Sequence, residues 1–346
     1  MIKRLLIVGF GSIGKRHARV VRKILPRVEI IVLRHQSCDD TLNYDIDHCV
    51  TSFKDAIKLK PQLAVIANPA TYHLNISLLL ANAGVHLFIE KPISNSAKGI
   101  SSLIKVCKKK NLKLMIGYNL RFLNSLQKFR KFIISKALGE ALSVRAEIGQ
   151  YLPSWRPNFD YQNSVSAKKE LGGGVLLELS HDIDYLTWLF GDIIWVNGIL
   201  EKNSKLKINV EDTAYLTMGF KSKYNKNVVS ANLNMDFIRH DIARNCTVIC
   251  TKGTLRWNAI LGTIEVFKKQ TNKWEILFQD KKDPDSSYQE EWKHFIKCIN
   301  NNISPKVTGQ DGLRVIQIID SLRKSAKNNK TLFMKKLNTK SKFLII

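Results

Sequence analysis

The chain has 346 residues, of which 45% are hydrophobic and 24% charged, a composition typical of folded globular proteins and long enough for two domains. Its 55 lysines and arginines against 29 acidic residues give a formal net charge of +26. The basic residues are spread through the chain without a stripe of interleaved aromatic side chains, so we expect no nucleic-acid partner. Either a lysine-rich solvated surface or attraction to an anionic substrate explains the charge.

The six cysteines follow no metal-binding spacing and form no C-x-x-C pair, which predicts free thiols, no metal site and a cytoplasmic protein. The first residues resemble a signal peptide only superficially, because their apolar run is as short as one strand and no cleavage site follows it. No apolar run approaches the roughly 20 residues of a membrane-spanning helix, so we expect no membrane span. The cysteines are Cys38, Cys49, Cys107, Cys246, Cys250 and Cys298.

An apolar run at residues 5–8 predicts a buried strand of a parallel sheet. It leads into Gly9, Gly11 and Gly14, which have the G-x-G-x-x-G spacing of a dinucleotide-binding turn. A helix pattern follows at 15–25, and its N-terminus would offer free N–H groups to phosphates. An ordinary glycine-containing loop is the alternative, but the strand before it and the helix after it favour dinucleotide binding. The expected phosphate-binding residues are Gly9, Gly11, Ser12, Ile13 and Gly14.

The second predicted strand, at residues 29–34, ends in a cation rather than an acid. An NAD-specific site usually places Asp or Glu there to bind the ribose 2′-hydroxyl group. Arg34 and His35 occupy that place, and a cation suits the 2′-phosphate of NADP(H). The sequence therefore favours NADP(H); in the alternative, Arg34 stacks on the adenine and NAD(H) also binds.

The next elements alternate between helix and strand, the pattern of a doubly wound parallel sheet. Ligands bind at the carboxyl ends of such strands, so Asn68, Pro69 and His73, which follow one strand, are cofactor-binding candidates. These elements are predicted over residues 52–59, 63–67, 71–84, 86–90, 96–110 and 112–116.

Glu90 and Lys91 close the strand predicted over 86–90 and are also cofactor-binding candidates. The simplest interpretation of Lys91 is a surface lysine at a strand end. However, Pro92 fixes the chain there, and Glu90 is a ready partner to orient an amine or tune it. We therefore expect Lys91 to belong to a functional site.

Three motifs together resemble those of the Gfo/Idh/MocA oxidoreductases: G-F-G-S-I-G at 9–14, A-T-Y-H at 70–73 and E-K-P at 90–92. The spacing between the motifs also matches, and the resemblance covers essentially the whole chain. It implies an N-terminal Rossmann domain over residues 1–120. It also implies an α/β substrate domain with a large open, mostly antiparallel sheet over residues 121–325.

The resemblance carries further expectations about the reaction and the assembly. In that family the lysine of the E-K-P motif sits beside the nicotinamide and the reacting carbon, which implies a catalytic role for Lys91. The open sheet often serves as an oligomer interface, which implies a homo-oligomer, a dimer or a tetramer.

A helix over 123–137 and a strand over 141–149 precede an irregular loop at 151–161, which contains two prolines and several aromatic residues. Trp and Tyr beside Arg are the side chains that stack on sugar rings and bind phosphates or carboxylates. In the alternative, Trp155 only anchors the loop. The substrate-binding candidates are Tyr118, Arg121, Trp155, Arg156 and Tyr161.

Three glycines at 172–174 open a predicted amphipathic helix that runs to Phe190, with Gly191 as its C-cap. Polar residues at spacings of three and four would line one face of this helix, where carboxylates set the basicity of a histidine. A chance polar face is the alternative. These residues are Glu178, His181, Asp182 and Tyr185.

This stretch is similar to the second catalytic motif of the same family, in which an acid and a histidine follow the glycines. Many members have the spacing D-x-x-x-H, whereas Glu178 and His181 are only three residues apart. The longer segment from Trp155 to Asp182 looks more like members encoded with surface-sugar or flagellin-glycan biosynthesis genes. The resemblance implies that His181 is the acid/base group and leaves Glu178, Asp182 and Tyr185 as supporting candidates.

The remaining patterns predict an antiparallel sheet followed by helices over 288–300 and 310–324. Residues 326–346 are rich in lysine, lack acidic residues and are expected to form a mobile basic tail. The strands are predicted over residues 193–200, 214–220, 227–236, 246–250, 255–257, 263–267 and 274–278.

We therefore expect an α/β NAD(P)-dependent oxidoreductase that transfers a hydride between nicotinamide and a CH–OH or C=O carbon of a sugar. A phosphorylated, nucleotide-linked or acidic sugar would suit the basic surface. Two alternatives remain: reduction of a C=N or C=C bond on a non-sugar substrate, and a catalytically idle dinucleotide-binding regulator.

Replacing Arg34 by Asp should shift cofactor preference toward NAD(H), because the change removes a partner for the 2′-phosphate and supplies an acceptor for the 2′-hydroxyl group. Binding titrations with NADPH and NADH measure the ratio of the two affinities. An unchanged ratio would show that Arg34 does not read the ribose.

Overall fold

The computed structural model contains two sheets, one parallel and one mostly antiparallel. This arrangement confirms the predicted α/β class, with a Rossmann sheet followed by a second, larger sheet. The described residues are 2–35, 44–221, 227–268, 271–281 and 283–334.

The first sheet consists of six short strands that are buried for most of their length because helices cover them. Their spatial order is 3-2-1-4-5-6, so the strand order reverses between the first and fourth strands, where a dinucleotide binds in this fold. The strands are β1 (Arg4–Val8), β2 (Glu29–Leu33), β3 (His48–Val50), β4 (Leu63–Ile66), β5 (His86–Glu90) and β6 (Leu114–Gly117).

Four helices connect these strands, and two begin where the sequence did not place them. The first starts at Ser12, directly after the glycine turn, and a Cβ at Gly14 would overlap the Gly9 carbonyl oxygen. The fourth starts only at Ile100, after Gly99 in the left-handed region. The helices are α1 (Ser12–Ile24), α2 (Phe53–Lys58), α3 (Ala70–Asn82) and α4 (Ile100–Lys109).

The second sheet has nine strands, and β7 pairs with β10 in parallel while its other pairs are antiparallel. One of its edges is formed by residues that the sequence assigned to a mobile tail. The strands are β7 (Ala141–Gly149), β8 (Asp192–Glu201), β9 (Thr213–Lys221), β10 (Val229–Asp236), β11 (Ala243–Cys250), β12 (Gly253–Asn258), β13 (Thr263–Lys268), β14 (Lys273–Gln279) and β15 (Leu332–Phe333).

The beginning of the predicted tail was wrong. Residues 326–328 complete the last helix, and β15 pairs with β8, because Leu332 and Phe333 extend the sheet edge by backbone hydrogen bonds. The rest of the predicted tail, residues 335–346, lies outside the described residues.

The last two helices return to the first domain, so the two domains share one continuous core. The amide of Ile116 in β6 donates to the carbonyl of Val307, at 3.1 Å, and Met115 forms a bridge with Thr308 at the start of the last helix. The helices of the second domain are α5 (Asn124–Ser135), α6 (Val175–Glu178), α7 (His181–Phe190), α8 (Ser286–Asn300) and α9 (Gly309–Asn328).

Arg121 holds this junction together from inside. Its guanidinium binds Asp184 of α7 through two hydrogen bonds of 2.6 and 2.8 Å and lies 3.4 Å from Asp311 in the first turn of α9. Arg121 is 5% exposed, and burial raises the pKa of Asp184 to about 6 although the guanidinium opposes that shift. We predicted from the sequence that Arg121 binds substrate, but its guanidinium instead pairs with two carboxylates inside the protein.

The cysteine prediction holds for four residues and was wrong for a fifth. Cys107, Cys246, Cys250 and Cys298 have free thiols, whereas Cys49 is disulfide-bonded. Within the described residues, no helix is long and apolar enough to cross a membrane. The same part of the chain contains no cluster of His, Cys, Asp and Glu side chains that could hold a metal ion.

Replacing Arg121 by Met should lower the free energy of unfolding by about 3–5 kcal/mol, because Asp184 would remain buried without its partner. Urea denaturation measures the change. Lys293→Met is the matched control, since Lys293 pairs with Glu290 at 2.8 Å on the surface and its loss should cost at most about 1 kcal/mol. Equal effects of the two substitutions would contradict a structural role for Arg121.

Candidate active site

Lys91 follows β5 at the carboxyl edge of the first sheet and reaches into the second domain. Its ammonium donates a 2.7 Å hydrogen bond to the backbone carbonyl of Glu178, the last residue of α6. The peptide bond between Lys91 and Pro92 is cis. The side chain is half-buried, so the remaining N–H groups of the ammonium are available to a ligand.

A break between two helices makes the Glu178 carbonyl available. The amide of Ser180 donates to the carbonyl of Leu177, and the amide of Asp182 donates to that of Leu179. These i→i−3 bonds skip the Glu178 carbonyl, which accepts from Lys91 instead. The predicted single helix running to Phe190 was therefore wrong: α6 ends at Glu178 and α7 begins at His181.

His181 lies at the start of α7 with its ring edge-on to that of Tyr118, at 5.5 Å between ring centroids. It is half-buried, and its Nδ1 is buried without a hydrogen-bond partner in the described part of the chain. Burial lowers the pKa of His181 well below 6.5, and the charges of Lys91 and Arg244 lower it further. The imidazole is therefore neutral at pH 7 and able to accept a proton.

Tyr118 packs against the His181 ring from the protein interior. It is completely buried, and its hydroxyl donates to the Ser180 hydroxyl at 3.4 Å, beside His181. This position removes Tyr118 from the surface that a substrate could touch. We therefore do not retain it among the substrate contacts that the sequence suggested.

Asp182 and Tyr185 form the next layer together with Arg244 of β11. The Asp182 carboxylate is completely buried and lies 3.2 Å from the Arg244 guanidinium. Burial raises the pKa of Asp182 to about 6, against the opposing charge of Arg244. Burial also raises the pKa of Tyr185 well above 10, so its hydroxyl stays protonated. Sequence reasoning missed Arg244, because an isolated arginine within a strand gives no local signal.

The Glu178 side chain turns away from Lys91. Its carboxylate accepts a 2.8 Å hydrogen bond from the hydroxyl of Ser166, in the loop that precedes the three glycines. Only the backbone of Glu178 therefore contacts the catalytic lysine candidate. Its side chain binds the loop that contains Ser166 to the end of α6.

Glu90 is buried beneath the lysine rather than exposed to a cofactor. Its carboxylate lies 2.7 Å from Nε2 of His17, and the indole N–H of Trp292 donates to Nδ1 of the same ring at 3.0 Å. Because an indole nitrogen can only donate, Nδ1 of His17 accepts and Nε2 carries the proton toward Glu90. Glu90 thus anchors the Lys91 turn, and the expectation of direct cofactor binding does not fit its position.

The glycine turn has the features that a dinucleotide requires. Gly9 has a φ of +87° and packs against the Asn68 backbone, where a Cβ would come within 2.8 Å. A Cβ at Gly11 would meet no atom within 4 Å, so open space lies beside that residue. Helix α1 has no side-chain cap, and Ser12 and Ile13 form its first turn. These residues would hold the pyrophosphate at the helix N-terminus.

The other cofactor candidates lie after β2, after β4 and in the first turn of α3. Arg34 lies half-buried after β2 with exposed His35 beside it, at the end of the sheet where the adenosine half binds in this fold. Asn68, followed by Pro69, has a buried side-chain oxygen without a hydrogen-bond partner among the described residues, which suits a polar ligand. His73 is buried with both ring nitrogens against backbone carbonyls, so it cannot contact a cofactor directly as predicted.

Three substrate candidates lie together in the loop over the site. Trp155, Arg156 and Tyr161 line one cavity, which Ser166 connects to Glu178. The Trp155 indole donates to the Gln150 carbonyl at 3.1 Å, so this ring both anchors the loop and lines the cavity. The loop consists of successive 3₁₀ turns at Leu152–Trp155, Tyr161–Asn163, Val165–Ala167 and Lys169–Leu171.

Comparison with known proteins agrees with this geometry. Residues 3–118 match the family model described as "Oxidoreductase family, NAD-binding Rossmann fold", and residues 130–334 match "Oxidoreductase family, C-terminal alpha/beta domain". The myo-inositol 2-dehydrogenase of Thermotoga maritima is 22% identical over 95% of this chain and 98% of its own. An uncharacterized oxidoreductase of Bacillus subtilis, YrbE, is 25% identical over 92% and 93%.

Solved structures share the fold over nearly the whole chain. Levoglucosan dehydrogenase in complex with NADH and levoglucosan has a TM-score of 0.84 and 19% identity, covering 97% of this chain and 100% of that one. The WlbA dehydrogenase of Bordetella pertussis in complex with NADH and UDP-GlcNAcA has a TM-score of 0.80 and 20% identity, covering 97% and 99%.

Replacing His181 by Asn should lower the turnover number by roughly 10²–10⁴-fold, because an amide cannot accept a proton. For substrate oxidation the base must be neutral, so its lowered pKa keeps the rate constant through pH 6.5 and lets it fall only at lower pH. Steady-state rates of both proteins across pH measure this. A variant that keeps near-parental turnover and the same acidic limb would assign the base to another residue.

Proposed function

The chain belongs to the Gfo/Idh/MocA oxidoreductase family, and on that premise we propose that it is an NAD(P)-dependent dehydrogenase of a sugar or sugar derivative. One observation carries the proposal. At the carboxyl edge of a sheet with open space beside its glycine turn, the Lys91 ammonium binds the Glu178 carbonyl, three residues before His181, whose pKa is lowered by burial and the Lys91 charge. Together the lysine and the histidine can bind one hydroxyl group and remove its proton beside a dinucleotide.

In the oxidation direction, Lys91 donates a hydrogen bond to the reacting oxygen of the substrate and stabilises the negative charge that develops there. His181 accepts the hydroxyl proton, which its lowered pKa permits at pH 7. Nicotinamide, when bound, supplies the hydride acceptor. In the reduction direction His181 returns the proton to the carbonyl oxygen. Arg244, held by Asp182, adds a positive charge that lowers the pKa of the imidazole further.

NADP(H) is the proposed cofactor, with NAD(H) as the alternative. Arg34 and His35 after β2 support NADP(H), because neither is the carboxylate that binds the ribose 2′-hydroxyl group in NAD-specific sites. The levoglucosan and WlbA dehydrogenase structures, both similar in fold, contain NADH. The Arg34→Asp titration therefore decides between the two cofactors.

The substrate class is proposed from the loop that covers the site. Aromatic rings of Trp155 and Tyr161 beside the exposed Arg156 suit a sugar ring with an anionic group, such as a phosphorylated, nucleotide-linked or acidic sugar. The WlbA complex contains a nucleotide-linked acidic sugar, UDP-GlcNAcA. A role in the synthesis of a surface or flagellin glycan would supply such substrates.

We also propose that the chain forms a homo-oligomer through its second sheet. Ile199 of β8 and Tyr215 of β9 lie opposite each other in the strand register, and both side chains are about half exposed, at 53% and 46%. Paired apolar side chains on an open sheet face favour contact with a second copy of the chain.

The proposed function is tested by following NADPH and NADP⁺ absorbance with panels of free, phosphorylated, nucleotide-linked and acidic sugars. We expect turnover with at least one sugar and its loss in Lys91→Met. Binding of NADPH with no turnover on any sugar would favour the idle regulator, and turnover only on a C=N or C=C compound would favour the other alternative.

A further inference from the structure

The buried ring of His73 bridges two turns that the proposed function places beside the nicotinamide. His73 lies in the first turn of α3 and is 1% exposed. Its Nε2 is 2.6 Å from the carbonyl oxygen of Asn68, which follows β4, and its Nδ1 is 2.9 Å from the carbonyl oxygen of Pro92, which follows β5. The two turns are otherwise separate segments of chain at the carboxyl edge of the sheet.

Both partners of His73 are carbonyl oxygens, which accept hydrogen bonds and cannot donate them. A neutral imidazole has one N–H group, so its second nitrogen would point a lone pair at an oxygen. Only the imidazolium donates from both nitrogens, and such charge-assisted hydrogen bonds are short. At least one of the two contacts is therefore a hydrogen bond that the ring donates.

The charges around the ring act in both directions. Burial lowers the pKa of His73 below 6.5, and the Lys91 ammonium lowers it further, while the two carbonyls and the Glu90 carboxylate offset only part of that shift. Glu90 is itself 7% exposed, so its charge acts through the protein interior rather than through water. The ring carries at least one N–H group in either protonation state, so it always donates to one of the two carbonyls.

The two His73 contacts belong to a series of contacts that runs from the glycine turn to the second domain. Gly9 packs against the Asn68 backbone, His73 joins Asn68 to Pro92, and Lys91 next to Pro92 reaches the Glu178 carbonyl. In a sheet with the order 3-2-1-4-5-6, the turns after β4 and β5 lie on the nicotinamide half of the dinucleotide crevice.

We propose that His73 is a positioning residue: by bridging the two carbonyls it fixes the Asn68 turn and the Lys91–Pro92 turn at the separation that the nicotinamide half of the cofactor requires. This inference rests on the proposed function. It predicts that His73 affects the nicotinamide end of the cofactor and not the adenosine end.

Two nucleotide probes separate these ends. NADPH spans both, whereas 2′-phospho-ADP-ribose lacks the nicotinamide. In His73→Leu we expect about tenfold weaker binding of NADPH, as for the loss of one buried hydrogen bond, and less than a twofold change for 2′-phospho-ADP-ribose. His73→Gln retains one donor and should fall between the parent and His73→Leu. Fluorescence and calorimetric titrations measure both affinities.

His86→Gln is the matched control. His86 begins β5, the strand that ends at Lys91, and its Nδ1 accepts from the Lys113 amide at 2.9 Å, so the control also removes a histidine that bonds to backbone. It should change neither affinity. Equal weakening of both probes in His73→Leu would overturn the inference, as would no change in either. If the parent chain binds neither probe, NADH and ADP-ribose replace them, and failure of all four to bind removes the dinucleotide site and the inference with it.

A second measurement needs no variant and holds even if His73→Leu does not fold. Nitrogen-15 NMR of the histidine-labelled parent chain at pH 7 reports which ring nitrogens carry protons and how fast those protons exchange with solvent. We expect at least one ring N–H of His73 to be protected from exchange with solvent, as a buried hydrogen bond to a carbonyl requires. Rapid exchange of every His73 ring N–H would overturn the bridge.

Discussion

The site depends on one contact, the hydrogen bond from the Lys91 ammonium to the Glu178 carbonyl. The lysine comes from the first sheet and the carbonyl from the helix break of the second domain, so the contact fixes the crevice between the two. It also places a positive charge near His181, which with burial lowers the pKa of that ring. This contact thus fixes the position of the Lys91 ammonium and, together with burial, favours the neutral form of His181, the proposed base.

Buried polar groups around this contact hold one another in place. His17 links Glu90 to Trp292, His73 links the turns after β4 and β5, and Arg121 links α7 to α9. His17, His73 and Arg121 are themselves buried, which rigidifies a site that a dinucleotide and a substrate must enter. Glu291 differs: it is buried, its carboxyl has no hydrogen-bond partner among the described residues, and burial raises its pKa well above 4.5.

Features encoded in contiguous residues were predictable. The glycine turn, the strand before Lys91 and the antiparallel second sheet all follow from local apolar patterns. Strand β3 was missed because its three residues are only partly buried, and the break before His181 was missed because no proline or glycine marks it. The internal roles of Arg121 and His73, and the existence of Arg244 in the site, depend on contacts between distant segments, which one sequence does not encode locally.

The central claim is that Lys91 and His181 act on the same substrate oxygen. A double-mutant cycle with Lys91→Met and His181→Asn tests it most directly, using the turnover number on a sugar found in the screen. Groups that act as a unit are strongly non-additive, so the double variant should be within about tenfold of the slower single variant. If each substitution costs roughly 10²-fold and the double variant loses about 10⁴-fold, the two residues act independently and the account is contradicted.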